Sequence, residues 1–174
     1  SFLGERTLRL RDLLGPATLE VAIGLETAHP QALERLNKRM SVDDFRRAAD
    51  FLAAHGIALR VFLRVRPPFL TEEEGVAWAC RSLETAFDAG ATLCALIPVR
   101  AGNGAMEALQ AAGDFAPPKI ASLETCLRHG LSLGRGRVVG DLWDIDPATA
   151  EPGDDARVAR IRAMNRTQRP EPLP

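Results

Sequence analysis

Short apolar runs alternate with capped, amphipathic stretches along most of the chain, and this alternation constrains the fold more than any other feature. Leu19 to Gly24, Ile57 to Val65, Ala91 to Ile97 and Arg137 to Trp143 are too short for buried helices and read as strands. Helices are predicted between and around them. Residues 5–14 end at Gly15-Pro16, because a residue before proline is pushed out of the helical region. Pro30 opens a brief helix to Leu36, where its missing N–H does no harm in a first turn. Ser41 with Asp44, and Thr71 with Glu74, carry the spacing of a capping box, and the helices they open end near Gly56 and Gly90. Two further helices are expected at Gly104 to Ala112 and Pro118 to Leu133. Strands separated by helices with short connections imply a mainly parallel sheet with helices packed outside it.

In such a fold, ligands meet the C-terminal ends of the strands, where the strand-to-helix loops converge. Reading off those edges gives Glu26, Thr27 and His29; then Arg64 and Arg66; then Arg100 and Asn103; then Asp141 and Asp144. Arg64 and Arg66 bracket the strand end before a rigid Pro67-Pro68 turn, which suits either an anion site or a surface ion pair. Gly102-Asn103-Gly104 permits close backbone approach to a ligand and equally suits an ordinary loop.

Charge and cysteine usage exclude several classes. With 22 Lys and Arg against 23 Asp and Glu the formal net charge is −1, so no global field draws in nucleic acid or a membrane surface, and a charged partner must be met by a local patch. No apolar run approaches the roughly 20 residues that span a bilayer, so no membrane association is expected. Cys80, Cys94 and Cys126 are far apart and lack metal-site or redox spacing; a reducing cytoplasm and core packing are the plain reading. His29, His55 and His129 share no ligand spacing, and no metal is assigned to them. The chain begins Ser1-Phe2-Leu3-Gly4 and runs at once into helix-like sequence, which leads us to expect a natural start upstream. Residues 1–143 are expected to form the α/β unit, and 144–174, acidic, then basic, then Pro-rich, a peripheral extension. Its Arg157, Arg160, Arg162, Arg166 and Arg169 suit phosphate contacts or a solvated tail.

From Leu19 to Pro68 the order is strand, Gly24-Leu25-Glu26-Thr27, short helix, Leu36-Asn37-Lys38-Arg39-Met40, capped helix, and a strand ending in Arg66-Pro67-Pro68. This resembles the radical S-adenosylmethionine (SAM) superfamily, in which a similar acidic turn follows the fourth barrel strand and a Lys or Arg follows about a dozen positions later. The resemblance extends through Cys94-Ala95-Leu96-Ile97-Pro98 and covers about two-thirds of the chain. Pro98 to Met106, and Gly134-Arg135-Gly136-Arg137 followed by Asp141-Leu142-Trp143-Asp144, resemble a subgroup whose neighbours include radical SAM proteins of archaeosine-type tRNA modification.

The resemblance implies a partial (β/α) barrel formed by the later strands of a radical SAM core. It implies an enzyme in which a [4Fe–4S] cluster, fed by an external electron donor, reduces SAM to a 5′-deoxyadenosyl radical that takes hydrogen from substrate, with RNA one candidate. The family's Cys-x3-Cys-x2-Cys loop does not occur here, so the chain is expected to supply one wall of the site and to be inactive alone. The implied SAM contacts are Glu26 toward the ribose hydroxyls, Lys38 toward the carboxylate, and Ile97 and Pro98 toward adenine; Arg64, Arg66, Arg100 and Asn103 are the substrate-side candidates. A departure is the second strand, where some relatives place an acid and this chain has Arg60-Val61-Phe62-Leu63-Arg64. Two other readings stay open: an unrelated β/α-barrel enzyme holding an anionic metabolite, and a cluster-free interaction domain.

Overall fold

The four predicted strands all form, and they lie side by side in chain order. In the computed structural model, which describes residues 3–102, 104–143 and 151–170, the elements are α1 (Glu5–Leu13), β1 (Glu20–Glu26), α2 (Pro30–Arg35), α3 (Val42–Ala54), β2 (Ala58–Val65), α4 (Glu72–Asp88), β3 (Leu93–Pro98), α5 (Ala105–Ala111), α6 (Ile120–Ser132), β4 (Arg137–Gly140) and α7 (Asp154–Thr167). The sheet order is β1-β2-β3-β4 and every pairing is parallel, as crossover helices require. The chain is therefore an α/β partial (β/α) barrel with outer helices.

Local chemistry fixes where the helices begin. The Ser41 hydroxyl accepts from Asp44 N at 3.1 Å while the Asp44 carboxylate accepts from Ser41 N at 2.9 Å, and Thr71 and Glu74 repeat the exchange at the head of α4. Each box satisfies donors that a helix start otherwise leaves bare. Along β2, Leu59, Val61, Leu63 and Val65 are buried while Ala58, Arg60, Phe62 and Arg64 are only partly so. The buried set meets Phe45, Leu52, Ala79, Leu83, Leu123 and Leu127 of α3, α4 and α6 in one core. The alternate face, bearing Arg60, Phe62 and Arg64, is left half open.

The segment expected to be a peripheral extension behaves otherwise. It contains α7, whose Ile161 and Met164 are fully buried in the main core. Burying two side chains of that size contributes on the order of 1.5–3 kcal/mol each. The helix also closes the sheet at β4. Asn165 Oδ1 accepts from Gly140 N at 2.8 Å and Asn165 Nδ2 donates to Gly140 O at 2.8 Å; Gln168 does the same for Val138 N and O at 2.9 and 3.0 Å. Two side-chain amides thus stand in for a neighbouring strand. Of the remaining stretch, residues 144–150 and 171–174 lie outside the described residues.

Candidate functional site at the strand ends

Glu26 is the last residue of β1 and sits at φ 66, a left-handed conformation that non-glycine residues avoid. The pairing register of β1 against β2 shifts between Gly24 and Glu26, so the strand kinks as it ends. Two cations hold the result. Lys38 Nζ donates to Glu26 Oε1 at 2.6 Å, and Arg64 Nε donates to Oε2 at 2.5 Å. The Glu26 side chain is 15% exposed against 30% for Lys38 and 36% for Arg64, so the carboxylate forms the floor and the cations the rim. Burial pushes the Glu26 carboxyl up, but hydrogen bonds from Lys38 and Arg64, with their charges, outweigh it and hold the group below its ordinary value.

Lys38 reaches back because the loop after α2 is folded sharply. Its neighbours Asn37 and Arg39 have φ of 50 and 53, and its own N–H donates to Leu33 O at 3.4 Å. Strained residues cluster at this mouth, with Arg66 at φ 52 and Phe69 at φ 76 completing the set. Gly24 gives the cluster its room: a Cβ there would lie 2.6 Å from Glu26 Oε1 and 3.0 Å from Lys38 Nζ. Beside this gap, Phe62 is in register with Gly24, and Ile97 with Arg64, so an apolar floor adjoins the charged trio on the half-open face.

The sequence-predicted residues divide accordingly. Glu26, Lys38 and Arg64 come together, and Ile97 shares their face. Pro98 is buried and in register with Val65, which puts its ring on the helix-packed face. Arg66 also turns away from the trio. Its positive φ breaks the strand's alternation, and its guanidinium donates to Glu72 Oε2 at 2.7 Å and to the carbonyls of Pro117 and Leu70 at 3.2 and 3.4 Å. It braces the turn into α4, where Gly75 lets its Cα and Cβ approach. Arg100 lies 3.7 Å from Asp141 Oδ2, linking the loops after β3 and β4, and its Nη2 is buried without a hydrogen bond. Asn103 and Asp144 lie outside the described residues.

Thr27 and His29 serve the fold. The buried Thr27 hydroxyl accepts from His29 N at 3.1 Å, and the His29 ring caps α2 by accepting from Ala32 N at 3.4 Å and packs against Trp78 at 4.5 Å. Sequence reasoning missed that Arg64 pairs with Glu26 and that Gly24 opens the gap. The available signal was a glycine inside a strand, which marks a bulge or close approach.

The cysteines do not fit an iron–sulfur cluster. All three are free thiols: Cys94 is buried in β3, where burial pushes its thiol up to about 12, and Cys80 on α4 and Cys126 on α6 share a thiol–thiol hydrogen bond. Among the described residues no group of three or more His, Cys, Asp or Glu is placed to hold a metal ion, and no helix is long and apolar enough to cross a membrane. The Glu26 carboxylate keeps acceptor capacity beyond its two ion pairs, and with the Lys38 and Arg64 cations and Phe62 and Ile97 on the same face it offers groups that a ligand bearing hydroxyls and a carboxylate requires.

No protein-family model matches the sequence. The archaeosine synthase subunit beta of Methanosarcina acetivorans is 32% identical over 112 residues, covering 63% of this chain and 32% of that protein. The protein of the same name from Thermococcus kodakarensis is 34% identical over 80 residues, covering 45% of this chain and 25% of its own length. The chain thus spans a third or less of the curated relatives it matches. The archaeal Methanocaldococcus infernus Elp3, with an N-terminal deletion, shares the fold with a TM-score of 0.67 at 14% identity, over 90% of this chain and 38% of that one. These matches agree with the likeness read from the sequence, whose neighbours included proteins of archaeosine-type tRNA modification.

Proposed function

We propose that this chain forms one wall of the SAM-binding mouth of a radical SAM enzyme of the archaeosine synthase beta type, acting on RNA. The reading rests above all on the 2.6 Å contact between Lys38 and Glu26, twelve positions apart, at the C-terminal end of a parallel sheet. Each oxygen of an ionised carboxylate has two acceptor sites. Lys38 and Arg64 occupy one site on each Glu26 oxygen, which leaves acceptor capacity for two ribose hydroxyls with the ion pairs intact. Lys38 and Arg64, the more exposed members, meet the SAM carboxylate, and Ile97 with Phe62 flanks the adenine. Bound against a reduced [4Fe–4S] cluster, SAM supplies hydrogen-atom abstraction by its 5′-deoxyadenosyl group. The cluster's thiolates and the electron donor come from outside these residues. Arg100, set between two strand-end loops, is the remaining substrate-side arginine.

The test uses the cluster-bearing protein and reads SAM affinity by isothermal titration. Losing one charge-assisted hydrogen bond costs about 1.5–3 kcal/mol, roughly ten- to a hundredfold in affinity. Glu26→Gln and Lys38→Met should each lose that much, and Arg46→Gln, on the exposed face of α3, should lose none. Unchanged SAM affinity in both site variants, or displacement of a bound anion without any effect of SAM, would overturn the reading.

A further inference from the structure

Between Ala156 and Pro170 the chain has five arginines and no acidic residue, and the structure sorts those arginines into two groups. Arg160 lies against α6, where Nε and Nη2 donate to the two oxygens of Glu124 at 2.6 and 3.0 Å, and Arg157 comes within 3.9 Å of the same carboxylate. Arg162, Arg166 and Arg169 point outward, exposed, and make no ion pair among the described residues. Arg162 and Arg166, four apart, share one side of α7, and Arg169 follows just beyond its Gln168 C-cap. Gln168 clamps Val138, and each partner in that clamp has an exposed arginine next to it in sequence, Arg169 after Gln168 and Arg137 before Val138, so the edge of β4 joins this end of α7.

We infer that Arg137, Arg162, Arg166 and Arg169 form a contact surface for an RNA phosphate backbone. The inference rests on the RNA-modifying reading above and gives it a place to hold its substrate. A cation near a helix C-terminus is stabilising by itself. That covers Arg166 and Arg169, at the helix end, but neither Arg162, which lies mid-helix, nor Arg137, which is on a strand. Elsewhere among the described residues most arginines are neutralised, Arg11, Arg35, Arg46, Arg47, Arg60 and Arg135 each pairing with a carboxylate, while the exposed Arg6, Arg9 and Arg39 without an ion pair are divided between α1 and the loop after α2. A near-neutral chain that leaves four guanidiniums unpaired in one region carries the local patch that phosphate binding requires. With no aromatic residue between Ala156 and Pro170, the face suits backbone contacts rather than base stacking.

The experiment measures affinity for an unmodified tRNA transcript against salt concentration, by fluorescence anisotropy, for the chain and for Arg137→Gln/Arg162→Gln/Arg166→Gln/Arg169→Gln. Each lost phosphate contact lowers the log–log slope by about 0.7–0.9. The quadruple variant should lose about three units of slope and at least tenfold in affinity at low salt, and the four-lysine counterpart should keep most of the slope. An unchanged slope, or no tRNA binding by the unsubstituted chain, overturns the inference. Binding of polyglutamate in place of tRNA also overturns it, assigning the face to an acidic protein. SAM affinity is read separately: a chain that holds tRNA through this face in a protein that ignores SAM would defeat the proposed cofactor site and leave the face standing.

Discussion

A carboxylate fixed at a positive φ, with a cation on each oxygen, needs space that a side chain on the neighbouring strand position would take. Gly24 provides it, so its substitution by alanine is expected to act through Glu26 rather than through the strand. The added methyl would force Glu26 Oε1 and Lys38 Nζ to shift, and because both are the free ends of flexible side chains on a half-open face the cost should stay at or below about 1 kcal/mol, the low end of overpacking. Urea unfolding should show that loss in Gly24→Ala and much less of it when Gly24→Ala is made on Glu26→Ala, because the clash partner is gone. Equal costs in both backgrounds would place the strain in the strand itself. At this scale the sequence was partly legible. The family-like spacing of Glu26 and Lys38 put both at the mouth, and the C-terminal edge of β2 named Arg64 there, without revealing that both cations pair with Glu26. Arg66 misled, since extrapolating the strand by two residues aims it at the mouth, and its positive φ aims it at Glu72 instead.

Elements whose ends carry side-chain caps were legible almost to the residue, because the Ser41–Asp44 and Thr71–Glu74 exchanges are local chemistry written in adjacent positions. The last helix was hidden. Its apolar positions Val158, Ile161 and Met164 keep helical spacing, but arginines stand between them and the charge pattern dominated the reading. Nothing local announces that Asn165 and Gln168 will complete a sheet edge, since that depends on a strand some 25 residues earlier. The consequence is measurable by hydrogen exchange. The Val138 and Gly140 amides, on a strand edge, should exchange as slowly as interior ladder amides. Asn165→Ala should speed exchange at Gly140, and Gln168→Ala at Val138, each by tenfold or more, leaving β2 unaffected. Fast exchange at both amides in the unsubstituted chain would mean that the side-chain amides do not hold the edge.

For the whole molecule, acid removes the carboxylate charge that offsets 22 Lys and Arg, so stability responds both to the growing positive charge and to the loss of individual ion pairs. The ion cluster that joins distant parts is centred on Glu124, 6% exposed, which gathers Arg128 from its own helix and Arg157 and Arg160 from α7. The hydrogen bond from Arg160 lowers the Glu124 pKa most; burial opposes it, and the charges of Arg160 and Arg128 lower it further. A carboxylate whose pKa is lower folded than unfolded contributes stability that is fully present above its unfolded value of about 4.3 and is lost as pH falls through the folded value. Glu124→Gln removes that contribution and leaves three arginines around a neutral amide, which should cost about 1–3 kcal/mol near pH 7. The cost should shrink as pH falls through the folded value, which lies below the ordinary carboxylate range, because the parent's own Glu124 is then protonated. Unfolding by urea in steps from pH 7 down through the acid range separates the alternatives. A difference between parent and variant that stays constant over that whole range would mean that α7 is held by its buried Ile161 and Met164 alone, with the ion cluster contributing only packing.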